Sequence, residues 1–478
     1  MSIQQSHAEV FMHAQFNVHA LIKLATRLRD RPCICDLSQK PSNGCLNWAI
    51  VISFDDGVEW LFRSPRKYYA LNMDTAGALI SNEAATLKYI RMNSTIPVPE
   101  VFEYSSTPFN EIGVPFILMS KARGVPLSTR GWNSQPHKVP GSHNNPPPCL
   151  TSKEKEKVMK QLGEITSKPL HLQFDKIGSI VEEKGIYNVE SCLSPGFILY
   201  GWDTLQDGFS RGPFAHETNM NNYDTYRSAT DRWNDFTTVG SKTNSGNNRL
   251  DYVIAGQFLQ DMIPSLTKSH KTPKSFGDGF PLYHPDLSTN NIFVDQDCNI
   301  TCIIDWAFSS SVPVSTPLMT PGLPHPRDDM DPLLVAAFRT GFIDHYFKGI
   351  IKMIDTSVWD NAQKIRLFTR LVNLDALQDY EYFVELYALT HKGKRTDIPT
   401  IFKEMQNQKV FRDKLMKLIA DDRPASETEK EEREYFSHVG PERHAVSKRL
   451  TLASKLSRGF VADRRPWHWI EEVTTSHL

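Results

Sequence analysis

The chain lacks the features that would assign it to a specialised class of protein. Its 478 residues carry a formal net charge of −1, so no global positive field favours nucleic acid. No run of about 18 apolar residues occurs, which a membrane-spanning helix would need, and no internal repeat is present. We therefore expect a globular protein that binds neither nucleic acid nor membrane. The sequence carries no signal of oligomeric state.

Cysteine is scarce, and the count of seven is odd. Seven cysteines spread thinly over the chain favour a protein of a reducing compartment over one with a disulfide framework. Cys33 and Cys35 could form half of a metal site, but no second Cys or His pair follows at the spacing typical of zinc. We interpret them as two ordinary thiols.

The first 31 residues lack the apolar core of a secretory signal. Residues 23–31 contain arginine and would suit a mitochondrial presequence, whereas Glu9 and Asp30 argue against one. We expect a cytoplasmic location, with a mitochondrial one as the alternative, and an amphipathic N-terminal helix that packs on the body of the protein.

Residues 40–120 show the pattern strand, strand, helix, strand. Two mixed apolar runs, 47–54 and 58–63, flank an Asp-Asp-Gly turn and predict a β-hairpin. A helical pattern starts near residue 81 and ends before Pro97, and the apolar run 114–119 predicts a buried strand.

The remainder of the chain contains two polar excursions and a helical second half. Residues 131–150 are rich in proline, and residues 205–250 are polar and poor in aliphatic side chains, so both are predicted insertions. Thr151 and Glu154 form a capping-box pattern that predicts a helix start. From residue 331 onward the pattern is mostly helical.

Residues 281–306 carry the chemistry. His284, Asp286 and Asn291 stand at the spacing His-x-Asp-x-x-x-x-Asn. Two short apolar strands follow, 292–294 and 300–304, and the second delivers Asp305. A hairpin of this length brings its two ends side by side, so the side chains of Asn291 and Asp305 can approach one point.

An amide oxygen beside a carboxylate suits Mg²⁺, with nucleotide phosphates completing its coordination. Asp286, on the loop just before, can orient an attacking hydroxyl or accept its proton. His284 would hold that loop by hydrogen bonds. The segment thus predicts the acid, metal and phosphate end of a phosphoryl-transfer site.

These residues resemble the protein-kinase-like fold, and more closely the aminoglycoside phosphotransferase and choline-kinase-like family, in which a bulky residue such as Trp306 follows the second aspartate. The large insertions resemble those of fungal-type members. The resemblance implies an α+β, two-lobed fold with a small β-rich N-lobe and a large helical C-lobe. It also implies ATP and Mg²⁺ as cofactors and a small-molecule hydroxyl as acceptor.

The implied boundaries are an N-terminal helical extension over residues 1–39, an N-lobe over 40–120, a C-lobe over 121–400 and a C-terminal helical extension over 401–478. The acceptor pocket would come from C-lobe helices and insertions, whose sequence does not identify the acceptor.

The resemblance also implies roles in the N-lobe. Arg63 stands where the family has a lysine that reaches the nucleotide phosphates and pairs with a helix glutamate, here Glu83. Gly44 stands where a glycine-rich loop is expected, without a second glycine. The backbone near Met119 and Lys121 would contact adenine. The plain alternatives are surface charges for the first pair and an ordinary core strand for the last.

Three other functions remain open. A catalytically inactive relative that binds nucleotide or a partner would fit Arg63 and the poor glycine loop, although Asp286, Asn291 and Asp305 argue for activity. A protein kinase would have Asp-Phe-Gly and Ala-Pro-Glu motifs, and a proline-rich stretch follows Asp305 instead. The last alternative is a structural role in mitochondria.

Overall fold

The computed structural model describes residues 8–44, 46–66, 73–132, 149–190, 257–259, 261–266, 279–325, 328–347, 356–371, 379–391 and 398–413. Nearly all of the insertion predicted at 131–150, the whole of that at 205–250, and most of the C-terminal extension lie outside these residues. No helix in the described part is long and apolar enough to cross a membrane.

The chain divides into two compact units. The first comprises Met1–Asn219 and Pro273–Ile354, and the second comprises Met220–Thr272 and Asp355–Leu478. All of the predicted site residues belong to the first unit.

A six-stranded antiparallel sheet forms the small lobe of the first unit. Its strands are β1 (Cys33–Ile34), β2 (Ser42–Asn43), β3 (Asn47–Phe54), β4 (Glu59–Pro65), β5 (Val101–Ser105) and β6 (Phe116–Ser120). Five of them run in the order β1-β3-β4-β6-β5, and β2 pairs with β3. The hairpin predicted from 47–54 and 58–63 is therefore present as β3 and β4.

Period-two alternation in β4 decides which residues face the site. Trp60, Phe62 and Ser64 are buried on one face, while Arg63 belongs to the other. The buried face packs into an aromatic core in which the Phe62 ring stacks on that of Phe116, with 5.3 Å between centroids. Because side chains alternate along a strand, this burial directs Arg63 to the opposite surface of the sheet.

The small lobe includes a helix and a strand from residues 1–39, the range predicted as an N-terminal extension. Helix α1 (Val18–Arg29) buries Leu21 and Ala25 in the core that covers the sheet. Strand β1 pairs with the far end of β3. The amphipathic helix predicted near the N-terminus is thus confirmed, and it supplies one wall of this core.

Helix α2 (Met73–Asn93) begins eight residues earlier than the pattern predicted. Ser81 and Asn82 resemble a helix start, but Ala76 and Ile80 are buried and extend the packed face upstream. Strand β5 was not predicted, because its five residues are all half-buried and show no alternation. Helix α2 packs against β5 and β6.

The other described residues of the first unit include two α-helices and several short strands. Helix α3 (Ser152–Ser167) starts with the predicted capping box of Thr151 and Glu154. It packs along helix α4 (Pro332–Phe347). The strands are β7 (Val125–Pro126), β8 (Gln173–Phe174), β9 (Ser179–Glu183), β10 (Ile186–Glu190), β11 (Phe280–Tyr283), β12 (Ile292–Val294), β13 (Ile300–Ile303) and β14 (Ser310–Ser311).

The hairpin of β9 and β10, which the sequence did not predict, lies against α2. The Lys88 ammonium bonds Glu182 of this hairpin at 3.0 Å, and the Tyr89 ring meets that of Tyr187 edge-on, with 5.3 Å between centroids. Helix α2 is therefore held from the sheet side and from the hairpin side.

The second unit is helical in its described residues. Residues 257–259 and 261–266 are helical, and α5 (Thr356–Leu371), α6 (Asp379–Thr390) and α7 (Ile398–Gln406) follow. Phe258 packs edge-on against Phe383, with 5.9 Å between ring centroids. The predicted helical pattern after residue 331 is confirmed for the described residues.

The fold class is α+β. The N-terminal sheet, the helix α2 that follows strand β4, and the later hairpin β12–β13 occur in the order of the two-lobed protein-kinase-like fold. The predicted fold class is confirmed.

Two glycines allow α3 and α4 to approach closely. A Cβ at Gly163 would lie 1.9 Å from the Phe338 carbonyl oxygen, and one at Gly341 would lie 1.9 Å from the Lys160 carbonyl oxygen. Both contacts are with backbone, which cannot move aside as a flexible side chain could.

We expect Gly163→Ala to destabilise the protein by about 1–3 kcal/mol, the usual cost of overpacking a tight contact. Helix propensity alone predicts the opposite sign, a gain of roughly 1 kcal/mol. The midpoint of thermal unfolding, followed by circular dichroism, decides between them. Thr340→Ala, at an exposed position of α4, is the control and should change the midpoint little. An unchanged or raised midpoint for Gly163→Ala would contradict the packing shown here.

Candidate active site

The hairpin of β12 and β13 brings the two predicted metal ligands together. Ile292 pairs with Ile303, and the backbone N–H of Ile304 donates to the carbonyl oxygen of Asn291 at 3.0 Å. Asp305 is the next residue, so it leaves the hairpin beside Asn291. The predicted convergence of the two hairpin ends is confirmed, while their role as metal ligands stays a prediction.

His284 anchors the loop that precedes this hairpin. The imidazole is buried, and the backbone N–H of Asp286 donates to its Nδ1 at 3.1 Å. Since Nδ1 accepts, Nε2 carries the proton and donates to the carbonyl oxygen of Ile304 at 2.9 Å. Burial lowers the pKa of His284 below its ordinary value, although the backbone bond to Ile304 raises it. The neutral ring thus links the loop to the end of β13. The predicted part of this arrangement, that His284 holds the loop by hydrogen bonds, is confirmed.

Asp286 is held by Asn291. The Asn291 amide nitrogen donates to both the backbone carbonyl and the Oδ2 of Asp286, at 2.9 and 3.0 Å. This orientation turns the amide oxygen of Asn291 away from Asp286 and leaves it as an acceptor. One asparagine therefore fixes the predicted base through its amide nitrogen and has its amide oxygen left for the predicted cation.

Asp305 sits at a sharp change of chain direction. Its φ of 63° lies in the left-handed region, and Phe308 three residues later has a φ of 64°. Such angles cost energy for residues other than glycine and persist where surrounding contacts fix them. Here Phe308 packs against Leu79 of helix α2, which Leu46 of the β2–β3 turn also contacts. The segment after the hairpin is thereby fixed to the small lobe.

Arg63 joins the small lobe to Asp305. Its Nη1 donates to Glu83 Oε1 in a short ion pair, and its Nη2 donates to Asp305 Oδ1 at 2.6 Å. The side chain of Glu83 is 3% exposed, that of Arg63 is 13% exposed, and that of Asp305 is 40% exposed. The predicted ion pair of Arg63 with Glu83 is present, and the contact of Arg63 with Asp305 is an addition that the sequence did not reveal.

Burial and charge act in opposite directions in this cluster. Burial works against the charged form of Arg63, but Glu83 and Asp305 outweigh it and raise its pKa above the ordinary value. Burial raises the pKa of Glu83 to about 7, although the attraction of Arg63 lowers it. The guanidinium therefore stays charged, with one carboxylate enclosed beside it and another open to solvent.

Asn47 is the contact that sequence reasoning missed. With its amide oxygen turned toward the guanidinium, it accepts from Arg63 Nη2 at 2.6 Å and from Nε at 3.2 Å. Asn47 begins β3, and Ala49 pairs with Arg63 across the ladder. Once the β3–β4 register is known, the proximity follows, but nothing in the local sequence of Asn47 indicates it.

The backbone N–H groups at the other predicted nucleotide contacts of the N-lobe already donate to protein carbonyl oxygens. The N–H of Gly44 donates to the Asn47 carbonyl oxygen at 2.9 Å, so it closes the β2–β3 turn. Met119 lies buried in β6, and the N–H groups of Ser120 and Lys121 donate to Glu100 and Glu59 carbonyl oxygens at 2.8 and 3.4 Å. The predicted nucleotide contacts of Gly44, Met119 and Lys121 therefore remain predictions.

The donor set suits a hard divalent cation only in part. Among the described residues, no group of three or more His, Cys, Asp or Glu side chains could hold a metal ion. Asn291 and Asp305 offer an amide oxygen and a carboxylate, and Mg²⁺ usually takes one or two protein oxygens together with phosphate oxygens and waters. The residues fit a cation that arrives with a nucleotide.

Three fungal relatives share parts of the sequence. A subtelomeric hrmA-associated cluster protein of Aspergillus fumigatus is 29% identical over 152 residues, which are 32% of this chain and 26% of that protein. The protein named altered inheritance of mitochondria protein 9, mitochondrial, is 30% identical in Candida tropicalis over 27% of this chain and 19% of that protein. In Saccharomyces cerevisiae it is 22% identical over 51% and 43%. The chain thus spans less than half the length of each relative.

No family model matches the sequence. Among solved structures, the macrolide 2'-phosphotransferase of Brachybacterium faecium has a TM-score of 0.39 at 12% identity, covering 85% of this chain and 99% of that one. The choline kinase of Cryptosporidium parvum has a TM-score of 0.39 at 11% identity, covering 87% and 97%. The fold assignment rests on the element order and sheet order of the chain itself.

We expect Arg63→Met to destabilise the protein by roughly 3 kcal/mol, because Glu83 would remain buried without its cation. Without Arg63 the pKa of Glu83 would rise further above its unfolded value. A group with a raised folded pKa loses its stabilising contribution as pH rises through that pKa. The deficit of Arg63→Met should therefore be larger at about pH 8.5 than at about pH 6.

Thermal unfolding of the wild type, Arg63→Met and the double variant Arg63→Met/Glu83→Gln at both pH values tests this. The double variant has no carboxylate to titrate at position 83 and should show a smaller pH dependence of the deficit. An Arg63→Met deficit that is equal at both pH values would contradict the burial of Glu83 as a charge.

Proposed function

We propose that this protein transfers the γ-phosphoryl group of ATP to a hydroxyl of a small molecule. The observation that carries the proposal is the convergence of Asp286, Asn291 and Asp305 at one end of the hairpin β12–β13, with Arg63 reaching Asp305 from the sheet.

Asp286 is the residue we assign to the acceptor. Its backbone N–H is tied to His284 and its Oδ2 accepts from Asn291. In the reaction, the acceptor oxygen would bond to the γ-phosphorus, the bond to the ADP oxygen would break, and the acceptor proton would pass to Asp286. Loose phosphoryl-transfer transition states need little base strength, so positioning of the hydroxyl would be its main contribution.

Asn291 and Asp305 are the residues that would hold Mg²⁺. The cation would supply positive charge that neutralises the phosphate oxygens as the bond to ADP breaks. Asn291 also holds Asp286 by a hydrogen bond. The same side chain would therefore position both the acceptor hydroxyl and the cation on the phosphates.

Adenine would be recognised by the backbone after β6. Because the N–H groups of Ser120 and Lys121 are used in the small lobe, the adenine edge would use their carbonyl groups. The next N–H along the chain, that of Ala122, has no hydrogen-bond acceptor in the part of the chain that the structure describes. We therefore add Ala122 to the adenine contacts predicted near Met119 and Lys121.

A second candidate is a catalytically inactive protein that binds nucleotide. The ion pair of Arg63 with Asp305 favours it, because both groups that would meet the phosphates and cation are bonded to one another. The two candidates differ in turnover and agree in nucleotide binding, so a variant of Asp286 separates them.

For the cellular location, the names of the Candida and Saccharomyces relatives support the mitochondrial alternative over the cytoplasmic one. Fluorescence microscopy of the tagged full chain would decide, and a diffuse cytoplasmic signal would refute the mitochondrial proposal.

We expect Asp286→Asn to bind Mg·ATP with nearly wild-type affinity while turnover falls about 10²-fold or more, the scale of a lost positioned base. The acceptor is first sought by incubating the wild type with Mg·ATP and a library of hydroxyl-bearing metabolites, and mass spectrometry detects the phosphorylated product. Calorimetry then gives the nucleotide affinity of both proteins.

Asp297→Asn, at the exposed turn of the same hairpin, is the control and should leave turnover unchanged. Loss of nucleotide binding in Asp286→Asn would refute the division of roles. Nucleotide binding by the wild type without turnover on any acceptor would favour the inactive candidate.

A further inference from the structure

The guanidinium of Arg63 is almost fully occupied by protein acceptors. An arginine has five N–H hydrogens. Nη1 gives one to Glu83, Nη2 gives one to Asp305 and one to Asn47, and Nε gives one to Asn47, which makes four of the five. A phosphate clamp that waits for a nucleotide would leave more of these donors open.

We propose that Arg63 is the resident counter-ion of Asp305, aimed by Asn47 and Glu83 as positioning residues. A divalent cation that binds Oδ1 of Asp305 then has to displace Arg63 from that oxygen. The proposal rests on the function proposed above in taking Asp305 as a cation ligand. It goes beyond that function in making Arg63 a competitor of the cation.

Charge and geometry support the competition. A guanidinium and a divalent cation carry the same sign and seek the same carboxylate, and the bond of Nη2 to Asp305 is short and charge-assisted. Asp305 is the more exposed of the two carboxylates, while Glu83 is enclosed. Displacement would therefore separate Arg63 from Asp305 and leave the pair with Glu83 intact.

The nucleotide would resolve the competition. Once Asp305 moves to a cation, Nη2 of Arg63 regains a free hydrogen, and a phosphate oxygen is an acceptor of the same charge sign as the one it lost. The cation and the nucleotide are thus expected to load together, and the nucleotide-free protein should bind the cation weakly.

Lysine would not reproduce this arrangement. Its ammonium is a compact charge without the planar fork that lets Arg63 hold Glu83 and Asp305 through different nitrogens. Arg63→Lys keeps the charge beside Glu83 and should release Asp305, which makes it a conservative variant for the test.

The experiment titrates Mn²⁺ alone, without nucleotide, and follows free Mn²⁺ by electron paramagnetic resonance. We expect Arg63→Lys to bind Mn²⁺ about tenfold more tightly than the wild type, the scale of one lost charge-assisted hydrogen bond. Asn47→Ala should shift the affinity in the same direction by a smaller factor, because the guanidinium of Arg63 would be held less firmly toward Asp305. Arg66→Lys is the matched control, because Arg66 contacts the Gly44 carbonyl oxygen and no described carboxylate.

Two results would overturn the proposal. One is equal Mn²⁺ affinity in the wild type, Arg63→Lys and Asn47→Ala, with folding verified by circular dichroism. The other is tighter binding that persists in Arg63→Lys/Asp305→Asn, since the cation would then bind elsewhere. Failure of the proposed function is measured separately: a wild type that binds no ATP refutes the function, while the effect of Arg63→Lys on Mn²⁺ would still stand.

Discussion

The ion cluster of Arg63, Glu83 and Asp305 is the constraint on which the site depends. It joins strand β4 of the small lobe, helix α2 and the end of the hairpin β12–β13. A buried ion pair adds little net stability against an apolar alternative, but breaking it leaves an uncompensated charge and is costly. The cluster therefore constrains the fold. Strand β4, helix α2 and the end of the hairpin β12–β13 must lie together for Arg63, Glu83 and Asp305 to be paired.

Contacts around the cluster hold the same three elements in place within the first unit. Helix α2, which carries Glu83, is held by the sheet on one side and by the hairpin β9–β10 on the other. Phe308 packs against the same helix just after Asp305. His284, neutral and buried, ties the loop of Asp286 to the residue before Asp305. Polar and apolar contacts thus fix the same few backbone positions.

Much of this arrangement could be predicted from residue order. The spacing of His284, Asp286 and Asn291, followed by two short apolar runs, specifies a loop and a hairpin whose ends meet, because the hairpin is local and its register follows from its turn. The pairing of Arg63 with Glu83 could be predicted from the resemblance to kinase-like proteins. The capping box of α3 is also local and was predictable for that reason.

Other features depend on contacts between distant residues. Asn47 reaches Arg63 only through the β3–β4 register, and Arg63 reaches Asp305 across 242 positions of sequence. Strand β5 lacks the alternation that would identify it, and the start of α2 was obscured by polar residues inside the helix. The close approach of α3 and α4 depends on two glycines that carry no local signal.

If Asp305 links nucleotide binding to a divalent cation, calorimetric titration of ATP with and without Mg²⁺ will show it. We expect Mg²⁺ to strengthen ATP binding to the wild type and to Asp297→Ala, an exposed aspartate at the other end of the same hairpin. In Asp305→Ala this strengthening should disappear, because the carboxylate proposed to bind the cation is gone. Mg²⁺-linked ATP binding that is unchanged in Asp305→Ala would rule out Asp305 as the cation ligand.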